Sequence, residues 1–445
     1  MSAQFLFGVI IVAVLIMIIA ISKFKVHPFI AMVVIAIGVG LVCGIDPVKV
    51  IATVKSGFGN ILGNIGIVIL CGTIIGTVLE KTGAALTMAN TILNAVGKKR
   101  SVLTMGAMGY VTGIPVFCDS GFVVLSPISR ALAAQSNTSL AVMATALSGG
   151  LYATHCLVPP TPGPIAMAGT LGADLGLTII VGLIVSIPAV AVALIYANTI
   201  SAGVKIPANS EYTMDELIAK YGKLPSPARS FAPIVLPIIL IGISSIVSLP
   251  AAPIGKGAAF KFFNFIGNPV VALILGTFLA LSLIPKSEKG NTLAWVTQGV
   301  TDSAAILAIT GAGGSFGAIL GLLPIADATT GLLATGLGVV IPFVIAMILK
   351  LAMGASTVAM ITTASMMAPV IESMGLTSPL GRVFVVMAIG AGSMVASHAN
   401  DSYFWVVSQF SDMKTGEAYR CQTGMTAVMG ITIIAILYVA STVLL

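Results

Sequence analysis

Charge is scarce in this sequence. Of its 445 residues only 8% are Asp, Glu, Lys or Arg, whereas 58% are hydrophobic. About a quarter of the residues in a soluble domain are charged, so the composition excludes a water-soluble globular protein. A disordered chain is excluded as well, because so many apolar residues must be buried somewhere. The mean hydropathy of +1.11 indicates a polytopic membrane protein, with room for roughly ten to fourteen spans of about 20 residues.

Cysteine pairs, clustered basic charge and nucleotide motifs are also lacking. The five cysteines form no CxxC pair, which argues against a disulfide framework and a zinc site. The 21 Lys and Arg residues are scattered through short loops, a pattern typical of cytoplasmic membrane flanks rather than of a nucleic-acid face. Residues 311–314 are glycine-rich, but no Lys-Ser/Thr pair follows as in a phosphate loop. We therefore expect no metal, no cofactor and no nucleic-acid partner.

The first apolar run, residues 5–21, has neither a basic leader nor a cleavage site of small residues. It is expected to be a retained span rather than a signal peptide.

The chain contains an internal repeat at a shift of about 242 residues. The matches occur in the same order in both halves, which favours a duplication over chance. They pair residues 27–31 with 268–272, Gly72 and Gly76 with Gly313 and Gly317, residues 113–127 with 355–369, and residues 149–155 with 392–398. The sequence therefore predicts a first transmembrane repeat over residues 1–202, a polar cytoplasmic linker over 203–230 and a second repeat over 231–445.

Each repeat is predicted to contain five spans, one re-entrant hairpin and one broken helix. The hairpins are expected at residues 101–135 and 335–373, and the broken helices after residue 137, with the break at 154–164, and over 383–411. Because five is odd, the two repeats must have inverted topology. With the N-terminus outside, 15 basic residues lie inside, five lie outside and Lys350 lies within a hairpin. This bias agrees with the positive-inside rule.

The sequence thus predicts an all-α membrane protein. Inverted repeats and interrupted helices are typical of secondary transporters, which bind substrate near the bilayer midplane. Unwound backbone leaves polar groups that hydrocarbon cannot satisfy, so such breaks persist only around a cavity or within protein. The N-termini of half-helices carry partial positive charge and favour an anion. The interruptions therefore predict where the substrate site lies.

Four titratable residues lie at these interruptions. Asp119 and Asp401 are carboxylates at membrane depth, where insertion costs about 2.5–3.5 kcal/mol, and we interpret them as carriers of the coupling proton. The alternative is that each aspartate only caps the next half-helix. His155 and His398 occupy equivalent breaks, and because histidine titrates most readily near neutral pH, we interpret them as further proton-coupling residues. The alternative for both is a structural, hydrogen-bonded histidine.

A set of polar and small residues at the same breaks is predicted to bind the substrate. Each hydroxyl could instead bond its own helix backbone. Lys350 is interpreted as the counter-charge of a substrate carboxylate, with snorkelling to the interface as the alternative. The predicted substrate-binding residues are Asp119, Ser120, Gly121, Thr154, His155, Thr161, Lys350, Ser356, Thr357, Thr362, Ser397, Asn400 and Ser402.

In three motifs, residues 154–164, 354–359 and 397–401 with Phe404 and Trp405, the sequence resembles the gluconate permease (GntP) family of bacterial proton symporters. The resemblance extends from residue 23 to the last span. The GntP family belongs to a broader ion-transporter superfamily, so the resemblance implies membership of that superfamily as well. It implies a multi-pass protein of the bacterial inner membrane. It also implies a substrate among gluconate, idonate, other small hydroxy acids and, in one branch of the family, D-serine.

Two positions depart from the gluconate-type pattern. In the first hairpin tip, Cys118-Asp119-Ser120-Gly121, the usual glutamate appears as Asp119, and the histidine usual between the prolines appears as Thr161. Asp119 and Thr161 have shorter side chains than the residues they replace, and the compact Cys118 and Ser120 allow the hairpin to approach more closely. We therefore expect a three- or four-carbon hydroxy acid such as glycerate to be preferred over gluconate.

Other functions remain open from the sequence alone. The nearest is a sodium-coupled symporter of a carboxylate or of D-serine, which differs in whether uptake follows sodium or pH. An intramembrane hydrolase would need a Ser, His and Asp arranged as nucleophile and base. A passive channel would give no uphill accumulation. The sequence names neither the carboxylate nor the oligomeric state, and a homo-oligomer is left open.

Overall fold

The protein is described here by a computed structural model that covers residues 3–207, 224–248, 257–323, 338–372 and 374–445. Every regular element within these ranges is helical, which confirms the predicted all-α class. Most of the predicted linker, residues 208–223, lies outside the described residues. The beginning of the second predicted hairpin, residues 335–337, lies outside them too. The boundaries between the repeats therefore stay predictions.

The described residues of the first half form nine α-helices, of which α3 is the longest. The 35-residue α3 begins at Pro47, directly after Asp46, whose side chain accepts hydrogen bonds from two backbone N–H groups. The helices are α1 Ala3–Ser22, α2 Pro28–Val42, α3 Pro47–Lys81, α4 Ala84–Val96, α5 Ser101–Gly113, α6 Cys118–Gln135, α7 Leu140–Leu157, α8 Pro162–Leu171 and α9 Leu175–Thr199.

The described part of the second half has the same succession of interrupted helices. A short helix, Thr415–Ala418, and a π-helical turn, Tyr419–Thr423, precede the last element. The main helices are α10 Pro227–Val247, α11 Ala258–Ile266, α12 Pro269–Leu281, α13 Thr292–Gly321, α14 Val340–Met353, α15 Ser356–Met367, α16 Pro379–Met394, α17 Ser402–Phe410 and α18 Gly424–Leu444.

The two aligned helix starts at His27 and Asn268 have the same local structure. His27 Nδ1 accepts a hydrogen bond from the backbone N–H two residues later, and Asn268 Oδ1 does the same. A proline follows each of them and occupies the first helical position of α2 and α12. The sequence match therefore corresponds to one structural device, an N-cap followed by proline, used twice.

Six helical segments among the described residues are long and apolar enough to cross a membrane, or seven if the bent pair α11–α12 forms one span. Several other apolar helices, among them α2, α14 and α16, are shorter than a full crossing. The chain is therefore a multi-pass membrane protein. The finer prediction of five spans in each half stays a prediction.

The interior is organised around α7, all 18 residues of which are buried. The broken pair α7–α8 and the second-half helix α16 pack in one large hydrophobic cluster, to which both halves contribute. A second large cluster is built on α3 and α13. The backbones of these two helices are close together at Gly57 and Gly314. A Cβ added to Gly57 would lie only 2.5 Å from the Gly314 carbonyl oxygen. Small residues thus allow the close packing expected between membrane helices.

All four predicted interruptions are present. In the two segments predicted to be hairpins, α5 and α6 are separated by residues 114–117, and α14 and α15 by residues 354–355. The broken helices are interrupted at 158–161 and 395–401. The predicted first break, 154–164, was too long, because α7 continues to Leu157 and α8 already begins at Pro162, the position where proline is favoured.

Candidate functional site

The interruptions bring half-helix ends from both halves together. The N-terminus of α6 and the C-terminus of α7 meet the C-terminus of α14, the N-terminus of α15 and the segment 395–401. We call this group the central cluster and define it by Asp119, Tyr152, His155, Lys350, Ser356, Ser397, Asp401 and Tyr403.

A buried ion pair forms the centre of the cluster. Lys350 Nζ lies 2.6 Å from Asp401 Oδ2 and also donates to the Gly354 carbonyl oxygen at the end of α14. Lys350 is 0% exposed and Asp401 5% exposed. The snorkelling alternative for Lys350 is therefore wrong, and in this conformation its charge is balanced by Asp401. A pair so far from water is stable only while both members are present.

Asp401 has two further hydrogen-bond partners. Ser397 Oγ donates to Oδ2 at 2.5 Å, and the backbone N–H of Tyr403 donates to Oδ1 at 3.2 Å. Asp401 is therefore the N-cap of α17, as the capping alternative proposed, and a member of an ion pair as well. The two roles use different oxygen atoms.

The Gly354 position holds the second hairpin tip against the second break. Its φ of +84° lies in the left-handed region, and a Cβ at this position would lie 2.1 Å from the Asn400 carbonyl oxygen. Both the backbone conformation and the lack of space require glycine. The close approach brings the end of α14, with Lys350, to the segment that carries Asp401.

Aromatic rings line the cluster on the first-half side. The Tyr152 ring stacks on His155 with centroids 6.2 Å apart and on Tyr403 with centroids 5.2 Å apart. Lys350 Nζ lies 5.8 Å from the centroid of the Tyr152 ring, a cation–π geometry. The Tyr152 hydroxyl shares a 2.6 Å hydrogen bond with Ser356 Oγ. Sequence reasoning missed both tyrosines, although Tyr152 lies one helical turn before His155, on the same face.

Asp119 places a second carboxylate near the pair. Its Oδ1 accepts from Ser402 Oγ at 3.3 Å and its Oδ2 from Cys118 Sγ at 3.5 Å. The negative charges of Asp119 and Asp401 interact electrostatically. Among the described acids, Asp401 alone is within ion-pair distance of Lys350.

The two predicted histidines are not equivalent in the structure. His155 is 6% exposed, and its Nδ1 has no hydrogen-bond partner among the described residues. His398 is half-buried, and its Nε2 lies 3.2 Å from the Leu351 carbonyl oxygen, which also accepts from Asn400 Nδ2 at 2.9 Å. His155 therefore faces the central cluster, whereas His398 and Asn400 hold the end of α14.

Several predicted ligands bond their own backbone instead of facing the cluster. Thr154 Oγ1 donates to Gly150 O and Leu151 O. Thr161 Oγ1 donates to Val158 O at 2.6 Å and to His155 O at 3.2 Å, which closes the first break. These contacts agree with the structural alternative for hydroxyls in membrane helices.

The remaining predicted residues lie around the cluster at different depths. Thr362 Oγ1 is 3.7 Å from Met32 Sδ and so faces α2. Ser120 lies beside the Glu80 carboxylate of α3, and Gly121 packs against Leu151. Thr357 is half-buried on the first turn of α15.

Three half-helices at the site begin without a side-chain cap. The residues at their N-cap positions, Phe117 for α6, Thr161 for α8 and Ala355 for α15, accept no backbone hydrogen bond through their side chains. The first N–H groups of α15 are available to an anion, whereas Pro162 and Pro164 leave α8 without an N–H at its first and third positions. Within the described part of the chain, no group of three or more His, Cys, Asp or Glu side chains could hold a metal ion. The arrangement thus suits a small anion with hydroxyl groups.

Comparison with known proteins identifies transporters throughout. A family model described as "GntP family permease" matches residues 5–443. The chain is 34% identical over 439 residues to a gluconate permease of Pseudomonas aeruginosa, covering 96% of both chains. It is 31% identical over 432 residues to the D-serine transporter DsdX of Escherichia coli K12, covering 95% of both.

The crystal structure of the YdaH transporter of Alcanivorax borkumensis shows a similar fold. Its TM-score is 0.65 at 15% sequence identity, and the match covers 93% of this chain and 98% of that chain. The matched family and relatives are permeases and transporters rather than enzymes, which sets the intramembrane hydrolase aside. With its family model matched almost from end to end, the chain belongs to the GntP family of permeases.

Proposed function

We propose that this protein imports a small hydroxy-carboxylate together with a proton, and that the substrate binds at the central cluster. The observation that carries the proposal is the buried Lys350–Asp401 pair, which lies among half-helix ends of both halves. The names of the relatives, gluconate permease and D-serine transporter, support a small organic acid as substrate. The bacterial relatives support a location in a bacterial inner membrane.

The chemistry around the pair supports a hydroxylated anion. Lys350 supplies a positive charge, and the uncapped N-terminus of α15 adds partial positive charge. Ser356 and Tyr152 offer neutral hydroxyls close by. His155 adds a ring nitrogen that has no partner among the described residues. A carboxylate bound near Lys350 would therefore leave its hydroxyl groups beside neutral donors and acceptors.

The proposed transport cycle uses two inverted repeats of five spans each, residues 1–202 and 231–445, joined by a linker at 203–230. The same order of interrupted helices in the described parts of both halves supports the repeat. Alternating access would then follow from movement of the hairpins and broken helices against the scaffold helices α3 and α13.

A short substrate such as glycerate is favoured by the compact first hairpin tip. Asp119 is held by Ser402 and Cys118, and Thr161 closes the first break with its own hydroxyl. These contacts keep the tip close to the second half, where a six-carbon acid needs more room than a three-carbon acid. D-serine, also a three-carbon compound, is the second candidate because a relative is named as its transporter.

The proposal is tested by uptake into liposomes that contain the purified protein. Radiolabelled glycerate, gluconate and D-serine are offered under an inward proton gradient, under an inward sodium gradient and with neither. We expect uphill glycerate accumulation that needs the proton gradient and disappears with a protonophore. Accumulation that follows sodium identifies the sodium-coupled alternative, and equilibration without accumulation identifies a channel. If gluconate displaces glycerate at least tenfold better than the reverse, a 1.4 kcal/mol preference, the proposed substrate size is wrong.

A further inference from the structure

The Lys350 ammonium has one carboxylate partner among the described residues, and that partner is itself a titratable acid. We propose that Lys350 exchanges partners during transport, pairing with Asp401 in the empty protein and with the substrate carboxylate in the loaded one. Protonation of Asp401 is the event that permits the exchange. This inference rests on the proposed function, proton-coupled import of a carboxylate, and specifies how proton and substrate are coupled.

The charge balance of the buried site favours this exchange. In the empty protein the ammonium and the carboxylate cancel, and both are almost completely removed from water. Binding a substrate anion to that neutral pair would leave one unbalanced negative charge in a water-excluded site, which is strongly unfavourable. A proton added to Asp401 removes this excess, so Lys350, the protonated Asp401 and the substrate anion together are neutral again. The site thus takes up substrate and proton together because neither alone leaves it balanced.

The hydrogen bonds around the pair allow Lys350 to leave Asp401 without moving far. Lys350 also donates to the Gly354 carbonyl oxygen, so the ammonium stays anchored at the end of α14. Asp401 keeps two other donors, Ser397 Oγ and the Tyr403 N–H, so its side chain stays in place when the ammonium turns away. In the protonation step one O–H bond forms at the Asp401 carboxylate, and Lys350 retains its three protons. The ammonium's released N–H can then point to a substrate carboxylate.

The position for that carboxylate lies next to Ser356. This residue is the first of α15, whose N-terminus has no side-chain cap, and its hydroxyl contacts Tyr152. Since only two residues separate α14 from α15, the ammonium at the end of one helix lies close to the N–H groups at the start of the next. A carboxylate there receives charge-assisted hydrogen bonds from both.

Other titratable groups face the pair and need to be separated from Asp401 in any test. Asp119 on α6 interacts with Asp401 but bonds Ser402 and Cys118 rather than Lys350. The groups that face the pair from the packed elements are Cys118 and Asp119 from α6, Tyr152, His155 and Cys156 from α7, and Tyr403 from α17. Asp119 is the strongest rival as proton carrier, because it is the other carboxylate.

Two consequences distinguish partner exchange from other coupling schemes. One proton is transported for each monocarboxylate, so the cycle moves no net charge. Sodium is not required in this scheme. A small cation would bind to oxygen ligands such as the Gly354 carbonyl and the Asp401 carboxylate, and the Lys350 ammonium already occupies the position between them.

The first experiment measures substrate affinity against pH on the purified full-length protein. Glycerate and gluconate, which stay ionised throughout, are titrated by calorimetry between about pH 5.5 and 8.5. For the unaltered protein we expect the affinity to fall about tenfold per pH unit above a midpoint, because one proton binds with the substrate. In Asp401→Asn the affinity should be independent of pH, since Lys350 is permanently available. Glu372→Gln, which alters an exposed acid, should keep the original slope.

Three outcomes of this titration overturn the inference. The first is a slope in Asp401→Asn that equals that of the unaltered protein. The second is a slope that persists in Asp401→Asn and disappears only in Asp119→Asn, which would assign the proton to Asp119. The third is a slope of zero in the unaltered protein. If the unaltered protein neither binds nor transports any small hydroxy acid, the proposed function itself fails, and this result is distinct from all three.

A second variant covers the case in which Asp401→Asn does not fold. Ser397→Ala removes one donor from the Asp401 carboxylate and keeps both charges of the pair. Because the ionised carboxylate loses a stabilising contact, the midpoint of the pH profile should move to higher pH. An unchanged midpoint would mean that another acid carries the proton and would overturn the inference.

Transport assays in liposomes supply the complementary measurement. Asp401→Asn should exchange internal for external substrate but should not accumulate it under a proton gradient. Lys350→Met should lose at least tenfold in affinity at every pH, whereas Lys205→Met, a change at an exposed lysine, should behave like the unaltered protein. Proton-driven accumulation by Asp401→Asn, or unaltered affinity in Lys350→Met, would contradict partner exchange.

Discussion

The two broken helices interrupt the membrane interior at aligned positions but are completed in different ways. The first break, residues 158–161, is neutral and is closed by the Thr161 hydroxyl. The second, residues 395–401, is longer and contains Asp401, which is paired with Lys350. The positions of the first half that align with Lys350 and Asp401 are Met108 and Val158, both apolar. Of the two broken helices, only the second therefore carries charge at its break.

This difference makes the central cluster asymmetric between the two halves of the chain. The second half supplies the ion pair, and the first half supplies the rings of Tyr152 and His155 and one further carboxylate, Asp119. A second ion pair at the first break would add two more charges at membrane depth and their insertion cost. One pair, placed where both halves meet, is enough for the anion site that we propose.

The largest expected effect comes from making the second break as neutral as the first. Lys350→Met leaves Asp401 buried without its ammonium, which should lower the free energy of unfolding by about 3–5 kcal/mol. The double variant Lys350→Met with Asp401→Asn should recover much of that loss, because no unpaired charge remains, but should not accumulate substrate. Thermal unfolding in detergent checks both, with Lys205→Met as the control. Equal stability of the single and double variants would contradict a stabilising interaction between the two charges.

The next largest loss of stability is expected from Gly354→Ala, which changes the backbone that packs against the second break. Gly354→Ala combines a left-handed φ with a contact to the Asn400 carbonyl oxygen, whereas Gly375→Ala has a φ of +68° and no atom within 4 Å of the added Cβ. The control should lose about 1–2 kcal/mol of unfolding free energy, from the strained φ alone. Gly354→Ala should lose more, because the hairpin tip must also move. Equal melting temperatures of the two variants would show that the close approach is unimportant.

A smaller effect should separate the aligned histidines. His155→Gln removes a stacked, buried ring with a free nitrogen and should weaken substrate binding about tenfold, or 1.4 kcal/mol. His398→Gln should change it by less than about threefold, or 0.7 kcal/mol, because Asn400 still binds the same carbonyl oxygen. Calorimetry at a single pH is sufficient. If His398→Gln has the larger effect, the assignment of His155 to the site is wrong.

The smallest effect is expected at the surface pair that joins α6 to the end of α17. Arg130 lies 2.6 Å from Asp412, with side chains 26% and 57% exposed, and also donates to Phe410 O. Such a pair contributes about 0.2–1 kcal/mol. The Arg130 hydrogen bond lowers the pKa of Asp412 below its usual value. The contribution is therefore present above the ordinary aspartate pKa and is lost as the pH falls through the lowered value.

Melting curves of the unaltered protein and of Asp412→Asn check this surface pair. We expect the difference between them to be small at neutral pH and to vanish in strong acid, where Asp412 is protonated. A difference that grows as the pH falls would have the wrong sign for an acid with a lowered pKa.

Residue patterns in the chain were sufficient to locate the interruptions. Proline and glycine at residues 113–115, 159–164 and 354 cannot continue a regular helix easily, so three of the four breaks could be predicted from local chemistry. The fourth, residues 395–401, contains neither residue type. The boundaries were less predictable, because Thr154 and His155 stay in α7, whose surroundings bury it on every side. Five spans per half could not be settled from apolar length, since helices such as α2 and α14 are short for a crossing.

Some residues of the candidate site were also predictable from the sequence, whereas others were not. Asp401 and His155 were predicted as site residues because a charge or an imidazole in an apolar run is costly and therefore informative. Thr154, Thr161 and Thr362 were candidates by type, but a hydroxyl in a helix bonds the backbone as easily as a ligand, and their contacts are local or face the scaffold. Tyr152 was missed because a single tyrosine in an apolar helix gives no sequence signal of its own.

By itself the sequence determined the class of molecule, the presence of four helix breaks and the scarcity of charge at them. These follow from hydropathy, backbone chemistry and the cost of burying ions, all of which act on short stretches of chain. The tertiary structure decided that Lys350 pairs with Asp401, 51 residues away along the chain, and that His155 rather than His398 faces the pair. Such choices depend on which helix ends meet, and that is set by packing between distant segments, for which no local pattern exists.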